Sequence, residues 1–288
     1  MASWWKSTAI TLEMIKWEHS IFALPFALTA AVLAAGGWPA GHVVFWIIVC
    51  MVSARSAAMA FNRWADADLD AVNPRTAMRA LPAGILSRNF VGVFVLVSAL
   101  LFVVSAGMLN RLALVLAPVA LAVVLGYSYM KRMTRWSHLV LGFALGIAPS
   151  AAWIAVRGSL DTRIVVLTAA VLLWVGGFDM LYACEDLEHD RRVGLRSVPQ
   201  AFGLTGAFWL ARGMHLAMIG MLVWFTVLFG LRTVAWIGIG IVASLLAYEH
   251  AIVSPKDLGR INAAFFTLNG IISVIFFVFV AADILLRR

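Results

Sequence analysis

The chain has 288 residues, 63% hydrophobic and 12% charged, with a net charge of +8 and a mean hydropathy of +0.96. Such a composition excludes an ordinary soluble domain, and a basic excess spread over loops between apolar runs does not point to nucleic acid. The only two cysteines, Cys50 and Cys184, exclude a disulfide framework and a cysteine metal centre, and both read as small apolar residues.

Runs of about 18 or more apolar residues read as spanning helices. Nine are predicted, at Ile21–Trp38, His42–Phe61, Phe90–Leu109, Leu112–Tyr129, His138–Val156, Ile164–Ala183, Gly206–Gly230, Thr233–His250 and Ile261–Leu286. The expected fold class is all-α: one domain over residues 1–288, a polytopic membrane bundle of nine transmembrane helices with cytoplasmic cap loops. Fourteen Lys and Arg residues fall in the loops of one side and six in those of the other. The positive-inside rule makes the richer side cytoplasmic, with the amino terminus inside and the carboxyl terminus outside.

Residues 4–20 carry Ile10, Met14 and Trp17 at helical spacing with Lys6 and Glu13 on another face, the pattern of an interfacial helix. Glu18 and His19 either meet a polar ligand in the headgroup region or are simply wetted there. The first apolar run begins only after Glu13, Lys16, Glu18 and His19, so no cleavable signal peptide is expected.

The second predicted span carries Arg55 and ends in NRWADADLD, residues 62–70. On a continuous helix Asn62, Asp66 and Asp70 fall within roughly 80° of arc, while Asp68 points to the opposite side. Three oxygen-bearing side chains at the end of an apolar segment are costly unless a cation sits among them. Arg55 lies within about 20° of Asn62. It either pairs with an aspartate or binds an anionic group of a ligand. The following loop holds Arg75 and Arg79, four apart and able to clamp a phosphate from one helix face. Pro74, Pro82 and Gly84 mark turns there. The next cytoplasmic loop adds Tyr127, Lys131, Arg132 and Arg135, which serve either the same anion or topology alone.

The sixth span ends in a second acidic stretch, DMLYACEDLEHD, residues 179–190. Asp179, Asp186 and Asp190 share about 40° of a helix, with Tyr182 some 40° away. Arg191, Arg192, Pro199 and Gly203 follow, so both halves show an acidic span end, then arginines, then a Pro–Gly return to lipid. A weak internal parallel repeat, offset by four spans, is expected. The final spans show no comparable polar cluster.

Eight of the 14 acidic residues fall in the two stretches. All-oxygen donors point to a hard ion, best Mg²⁺, and the surrounding arginines require a strongly anionic third component. Together they describe a Mg²⁺–diphosphate whose apolar tail lies among the spans. A lipid diphosphate that ionises to an allylic cation and alkylates an electron-rich acceptor fits.

Asn62-xxx-Asp66-xxx-Asp70 resembles the first motif of the UbiA superfamily of intramembrane aromatic prenyltransferases. Asp179-xx-Tyr182-Ala183-xx-Asp186-xxx-Asp190 resembles its second, continued by Gly194, Ser197, Pro199, Phe202 and Gly203. The resemblance covers essentially the whole chain. It implies that Asn62, Asp66, Asp70, Asp186 and Asp190 bind two Mg²⁺ bridged by a polyprenyl diphosphate, with Asp179 in support. It implies further that Arg75, Arg79, Lys131 and Arg132 contact the diphosphate or close the cap, and that Arg55, Tyr127 and Tyr182 line the substrate pocket. The implied activity is transfer of the polyprenyl group to a small aromatic acid, most simply 4-hydroxybenzoate, in ubiquinone-type quinone biosynthesis. The implied location is the inner, cytoplasmic membrane of a bacterial-type cell, with the active site facing the cytoplasm. Arg79-Ala80-Leu81-Pro82 departs from the R-P-L-P common in 4-hydroxybenzoate enzymes. Lys16 to Phe26 is similar to a subgroup that includes enzymes of the futalosine route to menaquinone, which makes 1,4-dihydroxy-6-naphthoate the alternative acceptor. A cation transporter is the alternative of another class, but transport needs acidic residues at mid-membrane or on both sides, and here both clusters lie at one end.

Overall fold

The computed structural model describes residues 10–11, 13–15, 22–259, 261 and 264–287. Nine apolar helices build it: α1 (Leu24–Ala35), α2 (Gly41–Ala65), α3 (Arg88–Leu109), α4 (Arg111–Gly126), α5 (Ser137–Arg157), α6 (Val165–Tyr182), α7 (Val198–Leu228), α8 (Thr233–Ile252) and α9 (Asn269–Leu285). Eight helical stretches among the described residues are long and apolar enough to cross a membrane, and α1 is a shorter apolar one. The first predicted span, Ile21–Trp38, is therefore a 12-residue helix, about 18 Å long at 1.5 Å per residue.

Polar side chains set where helices start. Ser87, Asn110 and Ser197 cap α3, α4 and α7 by accepting from backbone N–H groups of the first turn. Asn110 also donates to the Ile154 carbonyl at 2.8 Å, fixing the α3–α4 corner against α5. In α7, Gly203 takes φ 71° and ψ 174°, a conformation reserved for glycine that kinks the helix just after its amino-terminal start.

Chain neighbours α2 and α3, α5 and α6, α6 and α7, and α8 and α9 pack pairwise, while α1 lies against α5 and α9. The core joins Phe26, Trp174, Phe225 and Phe276, all fully buried. The rings of Phe26 and Trp174 stand 5.1 Å apart and those of Phe26 and Phe276 5.0 Å. Gly142, Gly146 and Ser150 recur at four-residue steps on the face of α5 that meets α6. A methyl at Gly142 would lie 2.3 Å from the Leu172 carbonyl oxygen and one at Gly146 2.9 Å from that of Thr168. Ser150 and Thr168 share a 2.7 Å hydrogen bond. Small residues thus let two backbones touch, which is how helices associate where lipid removes the hydrophobic drive.

The last spans hold more polar contacts than the sequence suggested. Trp174 Nε1 donates to Asn269 Oδ1 at 2.7 Å, His215 and His250 face each other at 2.9 Å, and Glu249 is buried beside them on α8. At the end of the bundle opposite the acidic motifs, Asp283 accepts from the Arg232 and Ala235 backbone N–H groups and from Arg287, capping α8. In the amino-terminal segment Met14 and Ile15 bury against Ala60, Ala67, Leu81 and Leu86 around the first acidic motif. The predicted roles of Lys6, Lys16, Trp17, Glu18 and His19 lie outside the described residues.

Candidate functional site

Both acidic motifs break their helix at the same point. α2 stops at Ala65, Asp66 takes φ −99° and ψ 7°, and a short helix, Ala67–Ala71, follows. α6 stops at Tyr182, a 3₁₀ turn spans Ala183–Asp186, Asp186 takes φ −96° and ψ 5°, and a second short helix, Leu187–Val193, follows. The unbroken helical face predicted for Asn62, Asp66 and Asp70 is corrected by this turn. Aspartates compete with the helical backbone and repel one another along it, so the chain yields at the middle one, into the bridge region. Asn62, Asp66 and Asp70 nonetheless line one polar cavity of about 310 Å³ together with Asp179, Tyr182, Asp186 and Asp190. Asp68 points away, as the spacing predicted, to an exposed pair with Arg88 that holds its carboxyl below the usual range.

Arginines from the cap reach into the cavity and take one aspartate each. Arg132 donates to Asp66 Oδ1 at 2.8 Å and to the Ala65 carbonyl at 2.6 Å, while Asn62 Nδ2 donates to Asp66 Oδ2 at 3.0 Å. Burial raises the Asp66 carboxyl above its ordinary value, against the pull of the Arg132 hydrogen bond. Arg79 Nη1 donates to both oxygens of Asp70, at 2.7 and 2.8 Å. Arg75 forks across to the other motif, donating to Asp186 at 2.9 and 2.5 Å and to the Tyr182 hydroxyl at 2.9 Å. Burial pulls the Arg75 guanidinium down, yet the bonds to Asp186 hold it above its usual value. The predicted clamp of Arg75 and Arg79 from one helical face is corrected. Residues 72–87 form successive turns, and the two arginines serve different motifs. The buried Asn73 shapes these turns by accepting from the Arg75 N–H at 3.0 Å.

Lys131 lies in the cavity wall, within electrostatic range of Asp179, Asp186 and Asp190. Arg55 and Tyr127 stand where the polar cavity meets a second, apolar one of about 420 Å³, and with Met59, Leu141 and Leu145 they line both. That cavity runs between α2 and α5 behind α4, walled by Ala113, Ala117, Ala120 and Ala148 among others, to Leu109 and Leu160 at the end away from the polar cavity. Every residue that the family resemblance implied for the site therefore lines the polar cavity, whereas Arg135 does not. Neighbours missed by the sequence include Arg63 and Asn73 in the cavity lining and His138, which is fully buried and hydrogen-bonds Asp179 at 2.7 Å.

Among the described residues no three His, Cys, Asp or Glu side chains converge tightly enough to hold a metal unaided. The donor set still fits a hard cation. It is all oxygen, and Asp190, 1% exposed, keeps its Oδ2 buried without a hydrogen bond. A buried carboxylate oxygen left so is costly unless a cation meets it. Further donors must come from a ligand, as Mg²⁺ prefers.

Comparison with known proteins gives one consistent family. The model of the UbiA prenyltransferase family matches residues 23–271. A 4-hydroxybenzoate octaprenyltransferase of Xanthomonas campestris pv. campestris is 34% identical over 257 residues, covering 88% of this chain and 84% of the relative. One from Photobacterium profundum is 28% identical, covering 93% of each. Among solved structures, the apo form of a UbiA homolog from Aeropyrum pernix K1 superposes with a TM-score of 0.85 at 32% identity, covering 93% of this chain and 99% of that one. A UbiA homolog from Archaeoglobus fulgidus bound to GPP and Mg²⁺ shares the fold, with a TM-score of 0.73 at 16% identity and coverage of 96% and 99%.

Proposed function

The chain belongs to the UbiA prenyltransferase family, and from that premise we propose that it transfers a polyprenyl group from polyprenyl diphosphate to 4-hydroxybenzoate, ortho to the hydroxyl, in quinone biosynthesis. The observation that carries this reading is the junction of the two cavities. A polar chamber with two acidic motifs and five cationic side chains, Arg63, Arg75, Arg79, Lys131 and Arg132, opens past Arg55 and Tyr127 into an apolar chamber inside the bundle. A molecule with a diphosphate at one end and a hydrocarbon tail matches that pair in order and polarity. The relatives named for 4-hydroxybenzoate support the acceptor.

Arg75, Arg79, Lys131 and Arg132 are the donors for the diphosphate oxygens, and planar guanidiniums suit them because they bind phosphate two-pronged. Asn62, Asp66, Asp70, Asp186 and Asp190 are the residues that hold Mg²⁺. The metal supplies charge neutralisation that makes the diphosphate a better leaving group. Tyr127 and Tyr182 offer ring faces to an allylic cation, and Arg55 pairs with the acceptor carboxylate. The bias of Lys and Arg supports a site on the cytoplasmic side of the membrane, where a water-soluble acid would enter.

Purified protein in lipid, given octaprenyl diphosphate, 4-hydroxybenzoate and Mg²⁺, is expected to make a lipid-soluble aromatic product. Asp186→Ala should abolish it, and full turnover by that variant would refute the metal role. Preference for 1,4-dihydroxy-6-naphthoate in direct competition would replace the acceptor while leaving the reaction class intact.

A further inference from the structure

Asp179 differs from its fellow motif carboxylates in what holds it. Asp66, Asp70 and Asp186 each accept from an arginine, whereas Asp179 Oδ2 is bonded by His138 Nδ1 at 2.7 Å. The other nitrogen of His138, Nε2, faces the Val198 backbone N–H at 3.4 Å. A backbone amide only donates, so Nε2 is the acceptor, the proton sits on Nδ1 and the ring is neutral. His138 therefore fixes one oxygen of Asp179 without cancelling its charge. The second oxygen, Oδ1, makes no hydrogen bond among the described residues, and the side chain, 19% exposed, lines the polar cavity.

Depth gives this carboxylate its meaning. Asp179 precedes Asp186 by seven residues, roughly 10 Å farther into the membrane at 1.5 Å per residue. Its cavity-lining neighbours on α6 are Val175 and Phe178 on the membrane side and Tyr182 toward the motif. Leu141 and Leu145, on the adjacent α5, belong to both cavities. This is the level at which a diphosphate head gives way to its tail, so the reacting prenyl carbon and the acceptor ring meet there.

We propose that Asp179 is the base that takes the ring proton, and that His138 is its positioning residue; this rests on the prenyl-transfer reading above. In the step the C1–O bond of the donor breaks and its electron pair leaves with the diphosphate. A carbon–carbon bond forms between C1 and the ring carbon ortho to the hydroxyl. The C–H electron pair of that carbon then returns to the ring as its proton passes to Asp179 Oδ1, and from there to water in the open cavity. No oxidant or reductant is needed. Anchoring Oδ2 to His138 keeps Oδ1 aimed into the cavity and free of an arginine partner that would blunt its basicity.

The test uses the full chain in lipid nanodiscs with Mg²⁺, octaprenyl diphosphate, and 4-hydroxybenzoate that is either unlabelled or deuterated at positions 3 and 5. Asp179→Asn is expected to lower kcat by about 10²-fold or more and to make the deuterated acceptor turn over more slowly than the unlabelled one, with KM for the diphosphate little changed. His138→Leu should reproduce both effects. His138→Gln, which keeps a donor for Oδ2, should restore most of kcat. If Asp179→Asn fails to bind a non-hydrolysable diphosphate analogue, and so is misfolded, the two His138 variants decide alone. Undiminished kcat in Asp179→Asn, a loss with raised diphosphate KM and no isotope effect, or His138→Leu equal to wild type would overturn the assignment. Absence of any prenylated 4-hydroxybenzoate from the wild type would overturn the broader reading instead.

Discussion

Substituting Gly142 by alanine places a methyl carbon 2.3 Å from the Leu172 carbonyl oxygen, whereas ordinary contact begins near 3.4 Å. The obstacle is backbone, so no side chain can swing aside, and α5 and α6 must part by about 1 Å there. Overpacking of this kind costs about 1–3 kcal/mol, while the better helix propensity of alanine offsets about 1 kcal/mol. Gly220 in α7, where a methyl would meet nothing within 4 Å, supplies the control, since Gly220→Ala keeps the propensity term alone. The two variants should therefore differ by about 1–3 kcal/mol, with Gly142→Ala the less stable. Thermal unfolding of the purified chain, followed by tryptophan fluorescence, reads the difference. Activity reads it independently, because His138 lies one turn before Gly142 and its 2.7 Å bond to Asp179 crosses the same helix pair. Equal Tm and equal turnover for the two variants would refute the view that touching backbones hold this part of the site.

Arg75→Ala removes the fork that joins the first-motif loop to Asp186 and Tyr182. It should raise KM for the prenyl diphosphate about 10–100-fold, as expected for the loss of charge-assisted hydrogen bonds of about 1.5–3 kcal/mol, with Arg75→Lys only partly restoring it in steady-state assays. Ala117→Phe, in the wall of the apolar cavity, should cut turnover with octaprenyl diphosphate while sparing geranyl diphosphate, measured side by side. Trp174→Phe leaves the buried Asn269 Oδ1 without the indole donor and should destabilise the fold by about 1–3 kcal/mol, visible as a lower unfolding midpoint.

What the sequence made legible was what chemistry repeats. Asn62, Asp66 and Asp70, and their counterparts Asp186 and Asp190, stand out because carboxylates at regular spacing in an apolar chain repel one another unless a cation gathers them. The break at Asp66 was hidden, since a four-residue step continues across it and only backbone angles record the turn. His138 was illegible for a different reason. A single histidine at the start of a span looks like a residue wetted at the interface, and its partner Asp179 lies 41 positions away. The Trp174–Asn269 contact joins residues 95 apart, beyond any local pattern. Gly142, Gly146 and Ser150 carried a readable spacing, but hydropathy alone records them only as part of an apolar run.

Asp66 and Asp186 adopt backbone angles within 3° of each other, and each is flanked at four residues on either side by a cavity-lining polar partner: Asn62 and Asp70 in one case, Tyr182 and Asp190 in the other. Backbone sterics depend little on the side chains around them, so the same turn forms whether Asn62 or Tyr182 stands four residues before it. It also means that neither half holds a complete site. A chain divided at the loop containing Gly158 would yield two fragments with one acidic turn each. Expressed together, they offer a way to ask whether the diphosphate itself draws the two halves into register.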